Sequence, residues 1–357
     1  MSEEMVADAG MLVLARESRG MTQTALAKRM TNVAGEPVSQ GYVSKAESGR
    51  LTVSGERLAR YGQALRYPAD ILCMSAKVDG VGIGLVHHRK KARLGAQALR
   101  QIHALLSMGR LHSRRLLATD SSHRFEHVPI NDLDSPEDAA RTVRRKWNMP
   151  PGPVADLVEV IENAGGLVLL QDLSTRDLDA ASQWDGDEEP LFFLNAHAPG
   201  DRFRFSLAHE LAHVVMHPVP GASADQEREA DRFASELLMP AADIRVELTG
   251  SIDLNRLAAL KQRWRVSMAA LARRALTLSA ISEWQYRNLM IEMSALGYRT
   301  KEPGEVPRET PQRMKNAAAR LVDQRGIDHA AAVVGVIPDD LRHLLGAAPD
   351  ASGVAHR

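Results

Sequence analysis

The segment FSLAHELAHVVMH, residues 205–217, carries three histidines and a glutamate within a short stretch. His209 and His213 are four residues apart, so on a helix both imidazoles lie on one face and can share one ion. Glu210 lies about 100° round the helix, beside this pair. This is the HExxH arrangement, in which two neutral imidazoles bind zinc and the glutamate takes a proton from the water on the metal.

The alternative is a buried helix that carries these polar residues by chance. The residues around them do predict a helix that packs in a core, since five of them are apolar: Phe205, Leu207, Leu211, Val214 and Val215. Two histidines and a glutamate without a partner would be costly inside such a core. The segment therefore favours a metal site.

A catalytic zinc needs a third protein ligand and an open position for water. In the following segment EREADRF, Glu227 and Asp231 are four residues apart and face one way. We expect Glu227 to bind the metal and Asp231 to orient a histidine through its ring N–H. Glu229 and His217 are the alternative third ligands, although a role at the helix end or in the cleft wall is more ordinary for His217.

The stretches RFRFSLAHELAHVVMH and EREADRFASELLMP resemble the ImmA/IrrE family of metallopeptidases. The resemblance covers about residues 135–300, and Ala212 stands where that family commonly has glycine. It implies a gluzincin-like endopeptidase site in which His209, His213 and Glu227 bind zinc and Glu210 is the general base. Manganese is the alternative ion, because sites of this composition accept several metals.

Residues around the expected cleft are further candidates for substrate binding. The strand PLFFLN, ending at Asn195, matches the strand that the family places beside the cleft, and such an edge can hold an extended peptide. His217, Asn195 and Arg204, with His197, are candidates for stabilising the transition state or lining the wall. For each of them a plain structural role is the more ordinary interpretation.

The N-terminal stretches LARESRGMTQTALAKRM and VSQGYVSKAESGR resemble the XRE (Cro/cI-type) helix-turn-helix. Its first helix would begin near Thr22, and its second, from Ser39, would enter a major groove. The expected contacts to bases and phosphates come from Gln23, Ser39, Gln40, Ser44 and Lys45. The alternative is a helical module for dimerisation or for binding the substrate protein.

Composition limits the class of protein. Lys+Arg and Asp+Glu number 45 each, which argues against a wholly basic nucleic-acid coat protein. The single cysteine, Cys73, excludes a disulfide framework within the chain and fits a reducing compartment. Neither a signal-peptide pattern nor a long apolar run occurs, so we expect a soluble cytoplasmic protein without a membrane partner.

The elements predict a mainly α protein with a small α+β zincin-like domain. We expect a helix-turn-helix domain over 1–75, a basic helical linker over 76–130 and the metallopeptidase domain over 131–250. A helical, helix-turn-helix-like unit over 251–300 would serve packing, or else a second DNA or substrate contact. Residues 301–357 would form a Pro-rich linker and a small helical unit. The basic linker is expected to be solvated, with phosphate contact as its functional alternative.

The combined hypothesis is a zinc endopeptidase, fused to a DNA-binding domain, that cleaves a repressor or antitoxin near operator DNA. A homodimer is expected, since helix-turn-helix domains commonly read paired half-sites. The alternative is a transcription regulator or antitoxin whose zinc fold senses metal or binds a partner. A purely structural zinc is less favoured, because such sites usually close all four positions with Cys or His.

Overall fold

The computed structural model describes residues 5–76, 86–87, 95–118, 125–130, 134–173, 175, 177–184, 189–217 and 223–346; for 86–87 it describes the backbone. The chain forms two compact units. The helical unit comprises Met1–Gly84, Arg93–Ser122 and Gln312–Arg357, and the sheet unit comprises Leu85–Ala92 and His123–Pro311. The predicted class, mainly α with a small α+β domain, is confirmed.

The helices in the described residues are, in chain order, α1 (Ala9–Ser18), α2 (Gln23–Ala34), α3 (Gln40–Glu47), α4 (Gly55–Leu65), α5 (Ala69–Leu72), α6 (Ala96–Leu117), α7 (Pro136–Lys146), α8 (Leu157–Asn163), α9 (Gly200–Met216), α10 (Ala224–Leu238), α11 (Ala241–Ile244), α12 (Leu254–Trp264), α13 (Met268–Thr277), α14 (Glu283–Ala295), α15 (Arg313–Arg325), α16 (Ile327–Val334) and α17 (Pro338–Leu345). The strands are β1 (Val86–His87), β2 (Leu167–Gln171), β3 (Ala180–Gln183) and β4 (Leu191–Asn195). Within the described part of the chain, no helix is long and apolar enough to cross a membrane.

Several helix starts follow from local capping, as the sequence predicts. The side chains of Thr22, Ser39, Ser135 and Ser267 each accept a hydrogen bond from a backbone N–H in the first turn of the helix that follows. Such a cap satisfies one of the four N–H groups that a helix start leaves without a partner. The helix starts predicted near Thr22 and from Ser39 are confirmed.

Helix α6 belongs to the core of the helical unit. Met108 and Leu111 pack in one cluster with buried residues of α1 to α5, and Ile102, Leu106 and Leu116 are buried as well. The expectation of a solvated helix is therefore wrong for α6, because its apolar stripe is covered on folding. Most of the basic run before α6, including residues 88–94, lies outside the described residues.

The three C-terminal helices also belong to the helical unit. The Arg115 guanidinium on α6 donates to the carbonyl oxygens of Val333, at 2.7 Å, and Ala332, at 2.8 Å. Asp340 on α17 accepts from Arg66 at 2.8 Å. The division into five sequence segments stays a proposal. In the structure, the last of these segments contributes its helices to the same unit as the N-terminal helices.

His112 on α6 gives the helical unit a dependence on pH. Its ring stacks on Tyr67, and its Nδ1 lies 3.0 Å from the carbonyl oxygen of Val334. Burial lowers the pKa of His112 from 6.5 to about 4, because the charged form loses its hydration. Between these two values the unfolded chain binds more protons, so stability is present above pH 6.5 and is lost as the pH falls towards 4.

We therefore expect acidification from pH 7 to pH 5 to remove at most about 2 kcal/mol of unfolding free energy through His112. Urea unfolding of the wild type and His112→Phe at both pH values measures this, since phenylalanine keeps a ring against Tyr67 but has no titrating group. The wild type should lose more stability than the variant. Equal losses in the two proteins would contradict the assignment.

The sheet has the strand order β1-β3-β4-β2. Strand β4 pairs in parallel with β2 and antiparallel with β3, and all five of its residues are buried. The expectation that PLFFLN offers an edge to a peptide is therefore wrong, because both sides of this strand are already hydrogen-bonded. Strand β3 is the antiparallel strand of the sheet, and β1 pairs with it at Ser182 and Gln183.

Helix α9, which carries the HExxH segment, is held at its start by residues 302–309. The Lys261 ammonium bridges Asp201 of α9, at 2.5 Å, and Glu302, at 2.9 Å. Arg204 of α9 forms a buried ion pair with Glu309. Both carboxylates also accept from helix N-termini: Glu302 from Met268 and Ala269, and Glu309 from Leu157 and Val158.

Helices α12 and α13, the helix-turn-helix-like segment, pack in the core of the sheet unit. Leu257, Trp264 and Leu271 belong to the same buried cluster as Phe203 and Leu207 of α9. Arg274 of α13 forms a buried ion pair with Glu236 of α10. These contacts favour the packing role for residues 251–300.

Candidate metal centre

The two histidines of the HExxH segment meet on one face of α9. His209 Nε2 and His213 Nε2 are 3.2 Å apart, and both side chains are almost fully buried. The apolar positions of α9, Leu207, Leu211 and Val214, pack in the core of the sheet unit. This packing fixes the rotation of α9, so the histidines face α10.

Helix α10 supplies the third group. It begins after the capping residue Ser223, and Glu227 lies in its first turn. The carboxylate reaches both rings, with Oε2 3.4 Å from His209 Nε2 and Oε1 3.4 Å from His213 Nε2. A quarter of the Glu227 side chain is exposed, so the centre opens to solvent on the α10 side.

The spacing of these donor atoms fits a zinc ion. Bonds of about 2.0–2.1 Å at tetrahedral angles place neighbouring donors about 3.3 Å apart. The observed separations are 3.2 Å between the two nitrogens and 3.4 Å from each nitrogen to the carboxylate. His209, His213 and Glu227 thus form a group that can hold a metal ion and leave one tetrahedral position for water.

Hydrogen bonds around His209 prepare it to bind a cation. Its Nδ1 lies 2.9 Å from Asp231 Oδ1, so the ring proton on Nδ1 is donated to that carboxylate. Nε2 then carries the lone pair and faces His213 and Glu227. Such a carboxylate contact is typical of the imidazoles that bind metals. Asp231 thus lies where the sequence places it.

The charge of Glu227 is strongly favoured by this arrangement. The neighbouring imidazole of His209, and then that of His213, hold the pKa of Glu227 far below its usual range. An ionised carboxylate beside two imidazole nitrogens makes the centre attractive to a divalent cation.

Glu210 lies beside the centre and not in it. It is 2% exposed, and its Oε2 accepts a hydrogen bond of 2.7 Å from the hydroxyl of Ser182 on β3. Burial raises the pKa of Glu210, because the charged form loses its hydration. A carboxylate with a raised pKa is suited to take up and release a proton near neutral pH.

Ser182 is a contact that sequence reasoning missed. It precedes Glu210 by 28 residues and is the only hydroxyl in the strand AASQ, all four residues of which are buried. A buried hydroxyl needs a partner, so a serine in this strand was an available signal, but nothing local identifies the partner.

A small cleft adjoins the centre. It is lined by His209 and Glu210 together with Asp177, Leu178, Asp179, Ala180 and Ser206. Asn195, at the end of β4, lies behind this wall: its Nδ2 donates to the carbonyl oxygens of Thr175 and Leu178. Asn195 therefore holds the wall in place and does not itself line the cleft.

The other candidates for the wall or the transition state have partners elsewhere. Arg204 is 1% exposed and binds Glu309 and the carbonyl oxygen of Val154. His197 is about half exposed and lies 3.3 Å from Asp172. These contacts favour the plain structural role that the sequence made the more ordinary interpretation for both residues.

The two alternative third ligands contact each other and lie outside the group of converging donor atoms. His217 Nε2 lies 3.0 Å from Glu229 Oε2, and His217 Nδ1 lies 2.9 Å from His213 Nδ1. Neither residue belongs to the group of converging donors described above. The geometry therefore favours Glu227.

In the helical unit, α2 and α3 carry the predicted DNA contacts. Gln40, the first residue of α3, is exposed, and its amide donates to Gln23 at 2.6 Å. Gln23 in turn donates to Glu47 at 3.0 Å, and Glu47 is paired with Arg16 at 2.6 Å. The ion pair between Arg16 and Glu47 therefore helps to hold the side chains of both glutamines in place.

The remaining predicted contacts lie on or just before α3. Lys45 is exposed and Ser44 is half-buried. Ser39 is exposed, and its hydroxyl accepts from the backbone N–H of Tyr42 as the helix cap. Helix α2 ends at Ala34, and the capping residue Gly35, whose φ of 69° lies in the left-handed region, begins the turn to α3.

Comparison with known families agrees with these two arrangements. Residues 161–276 match the model of a peptidase family described as the IrrE N-terminal-like domain, and this range contains the HExxH segment and Glu227. Residues 12–72 match a helix-turn-helix family model, and this range contains α2 and α3. No curated protein matches the chain. Both resemblances drawn from the sequence are confirmed.

Proposed function

We propose that this chain, which carries an IrrE N-terminal-like peptidase domain and a helix-turn-helix domain, is a zinc-dependent endopeptidase that cleaves a protein. One observation carries the proposal above all: His209, His213 and Glu227 converge at the spacing of tetrahedral zinc donors, with Glu210 beside them. The buried position of Glu210 next to an open cleft supports catalysis over a closed structural site.

A zinc ion held by these three residues would act as a Lewis acid, which would polarise the scissile carbonyl and lower the pKa of water. The residues of the chain then handle the proton. Oε2 of Glu210 accepts from Ser182, which leaves Oε1 to take a proton from the attacking water. Glu210 next gives that proton to the nitrogen of the leaving amine, so the carboxylate returns to its first state.

The substrate is proposed to be a protein segment in an extended conformation. Ala180 at the start of β3 lines the cleft together with His209 and Glu210. A peptide that pairs with β3 at Ala180 would pass beside the metal centre. Strand β1 pairs with β3 further along, at Ser182 and Gln183. We therefore expect β3, and not β4, to position the substrate.

The helix-turn-helix domain directs this activity to gene control. We propose that the substrate is a repressor or antitoxin, that operator DNA is a partner and that the chain acts as a homodimer on paired half-sites. Gln40 at the start of α3 is exposed and supported by Gln23, which suits a contact to a base edge.

Gln40→Ala is therefore expected to weaken specific DNA binding by about 1–3 kcal/mol, roughly 5- to 150-fold, since one bidentate base contact is lost. The measurement selects duplexes from a randomised library with the wild type and then titrates one selected duplex by fluorescence anisotropy at fixed salt. Gln324→Ala, an exposed glutamine on α15, is the matched control and should bind as the wild type does. Equal affinity of the two variants, or no enriched sequence, would contradict the base contact.

The proteolytic function is tested with the purified chain, loaded with zinc and incubated with a library of proteome-derived peptides. Mass spectrometry of new peptide N-termini should find discrete cleavages that a chelator abolishes and added zinc restores. A loaded wild type that produces none would favour the alternative, a DNA-binding regulator whose metal fold senses or binds a partner.

A further inference from the structure

His217 and Glu229 extend the metal centre beyond its converging donors. His217 follows α9 as its C-terminal cap and is 7% exposed. Its ring centroid lies 5.0 Å from that of His213, and the two Nδ1 atoms are 2.9 Å apart. Its other nitrogen, Nε2, lies 3.0 Å from Glu229 Oε2 on α10. Three side chains from two helices therefore form one continuous chain of hydrogen bonds.

The direction of these hydrogen bonds follows from the chemistry of imidazole. A neutral ring carries one proton, so a histidine that offers Nε2 to a cation keeps its proton on Nδ1. His213 then donates from Nδ1, and His217 must accept at its own Nδ1. This leaves the proton of His217 on Nε2, where it is donated to the Glu229 carboxylate. Each donor in the chain thus meets an acceptor.

We propose that His217 and Glu229 are positioning residues that fix the orientation and proton position of His213 for metal binding. The inference rests on the proposed metallopeptidase function. Asp231 makes the corresponding contact to His209 directly, at 2.9 Å, whereas the carboxylate of Glu229 acts on His213 through the intervening ring of His217. The two metal-binding rings are therefore supported by two carboxylates of the same helix, α10.

A purely structural role for His217 makes a different prediction. As the residue after α9, it donates its backbone N–H to the carbonyl oxygen of His213, and any residue at this position can keep that bond. If the side chain only filled space, its replacement would change the stability of the zinc-free protein and leave zinc affinity unaltered. The proposed role predicts the reverse.

The test measures the zinc affinity of the full-length chain by competition with a chromophoric chelator. His217→Phe keeps a ring but has no acceptor for His213, and should lower the affinity about 10- to 100-fold. His217→Gln offers an amide oxygen as acceptor and should recover part of that loss. Glu229→Ala should fall between the wild type and His217→Phe, and Glu292→Ala, an exposed glutamate on α14, should bind as the wild type does.

Two further readouts separate the outcomes. The thermal midpoint of the zinc-free protein should differ little between wild type and His217→Phe, and the visible spectrum of the cobalt-loaded forms should change because the position of His213 changes. Unaltered zinc affinity in His217→Phe, or a loss that follows the zinc-free stability and is not recovered in His217→Gln, would overturn the positioning role alone. A wild type that binds no zinc would overturn the metallopeptidase function as well.

Discussion

A Glu210→Gln variant is expected to hydrolyse peptides about 10²–10⁴-fold more slowly than the wild type, while it binds zinc equally well. Glutamine has nearly the shape of glutamate, and its amide oxygen can accept the hydrogen bond that Ser182 donates at 2.7 Å. It cannot take a proton from the attacking water. Because Glu210 is not one of the converging donors, the metal-binding group is unchanged.

The measurement combines initial rates on a peptide identified from the library with zinc content by mass spectrometry. Glu292→Gln makes the same chemical change at an exposed position of the sheet unit and should retain the full rate. Activity of Glu210→Gln within a few-fold of the control would show that another group moves the proton. Loss of zinc from this variant would show that Glu210 belongs to the metal ligands.

A Glu227→Ala variant is expected to lose far more zinc affinity than the roughly 10- to 100-fold that loss of a supporting hydrogen bond costs. This substitution removes the carboxylate that lies 3.4 Å from both ring nitrogens. The stability that zinc gives the wild type, about 2.7 kcal/mol at a free zinc concentration of 100 times Kd, should disappear in the variant. Chelator competition and unfolding with and without zinc measure the two effects.

Comparison with Glu229→Ala makes this a test of which glutamate binds the metal. Both residues lie in the first two turns of α10, but Glu229 contacts His217 and not the converging nitrogens. The loss should therefore be much larger for Glu227→Ala than for Glu229→Ala. The opposite order would assign the third ligand to Glu229.

The parts of the centre that the sequence predicted depend on spacing within one helix. The separation of His209 and His213 by one turn, and that of Glu227 and Asp231, follow from helical geometry alone. The serine and threonine caps were predictable for the same reason, since each contacts a backbone N–H only three residues away. Local geometry of this kind needs no knowledge of the tertiary fold.

The parts that were missed depend on contacts between distant segments. The partner of Arg204 is Glu309, 105 residues later in the chain, and no local pattern links them. Strand β4 is internal because it lies between β3 and β2 in the sheet. The composition of a strand does not reveal its neighbours, so the sequence wrongly suggested that β4 was an edge. Helix α6 has the composition of a basic linker, but its apolar face packs against helices that are far from it in the sequence, α1 on one side and α15 and α16 on the other.

The central claim, that this centre cleaves proteins, is tested most directly by comparing new protein N-termini in cells of the native host that express the wild type or Glu210→Gln. We predict discrete new termini with the wild type alone, located in a helix-turn-helix protein, which would also identify the substrate. Identical sets of termini under several stresses would contradict proteolysis and leave a DNA-binding regulator with a metal-binding partner domain.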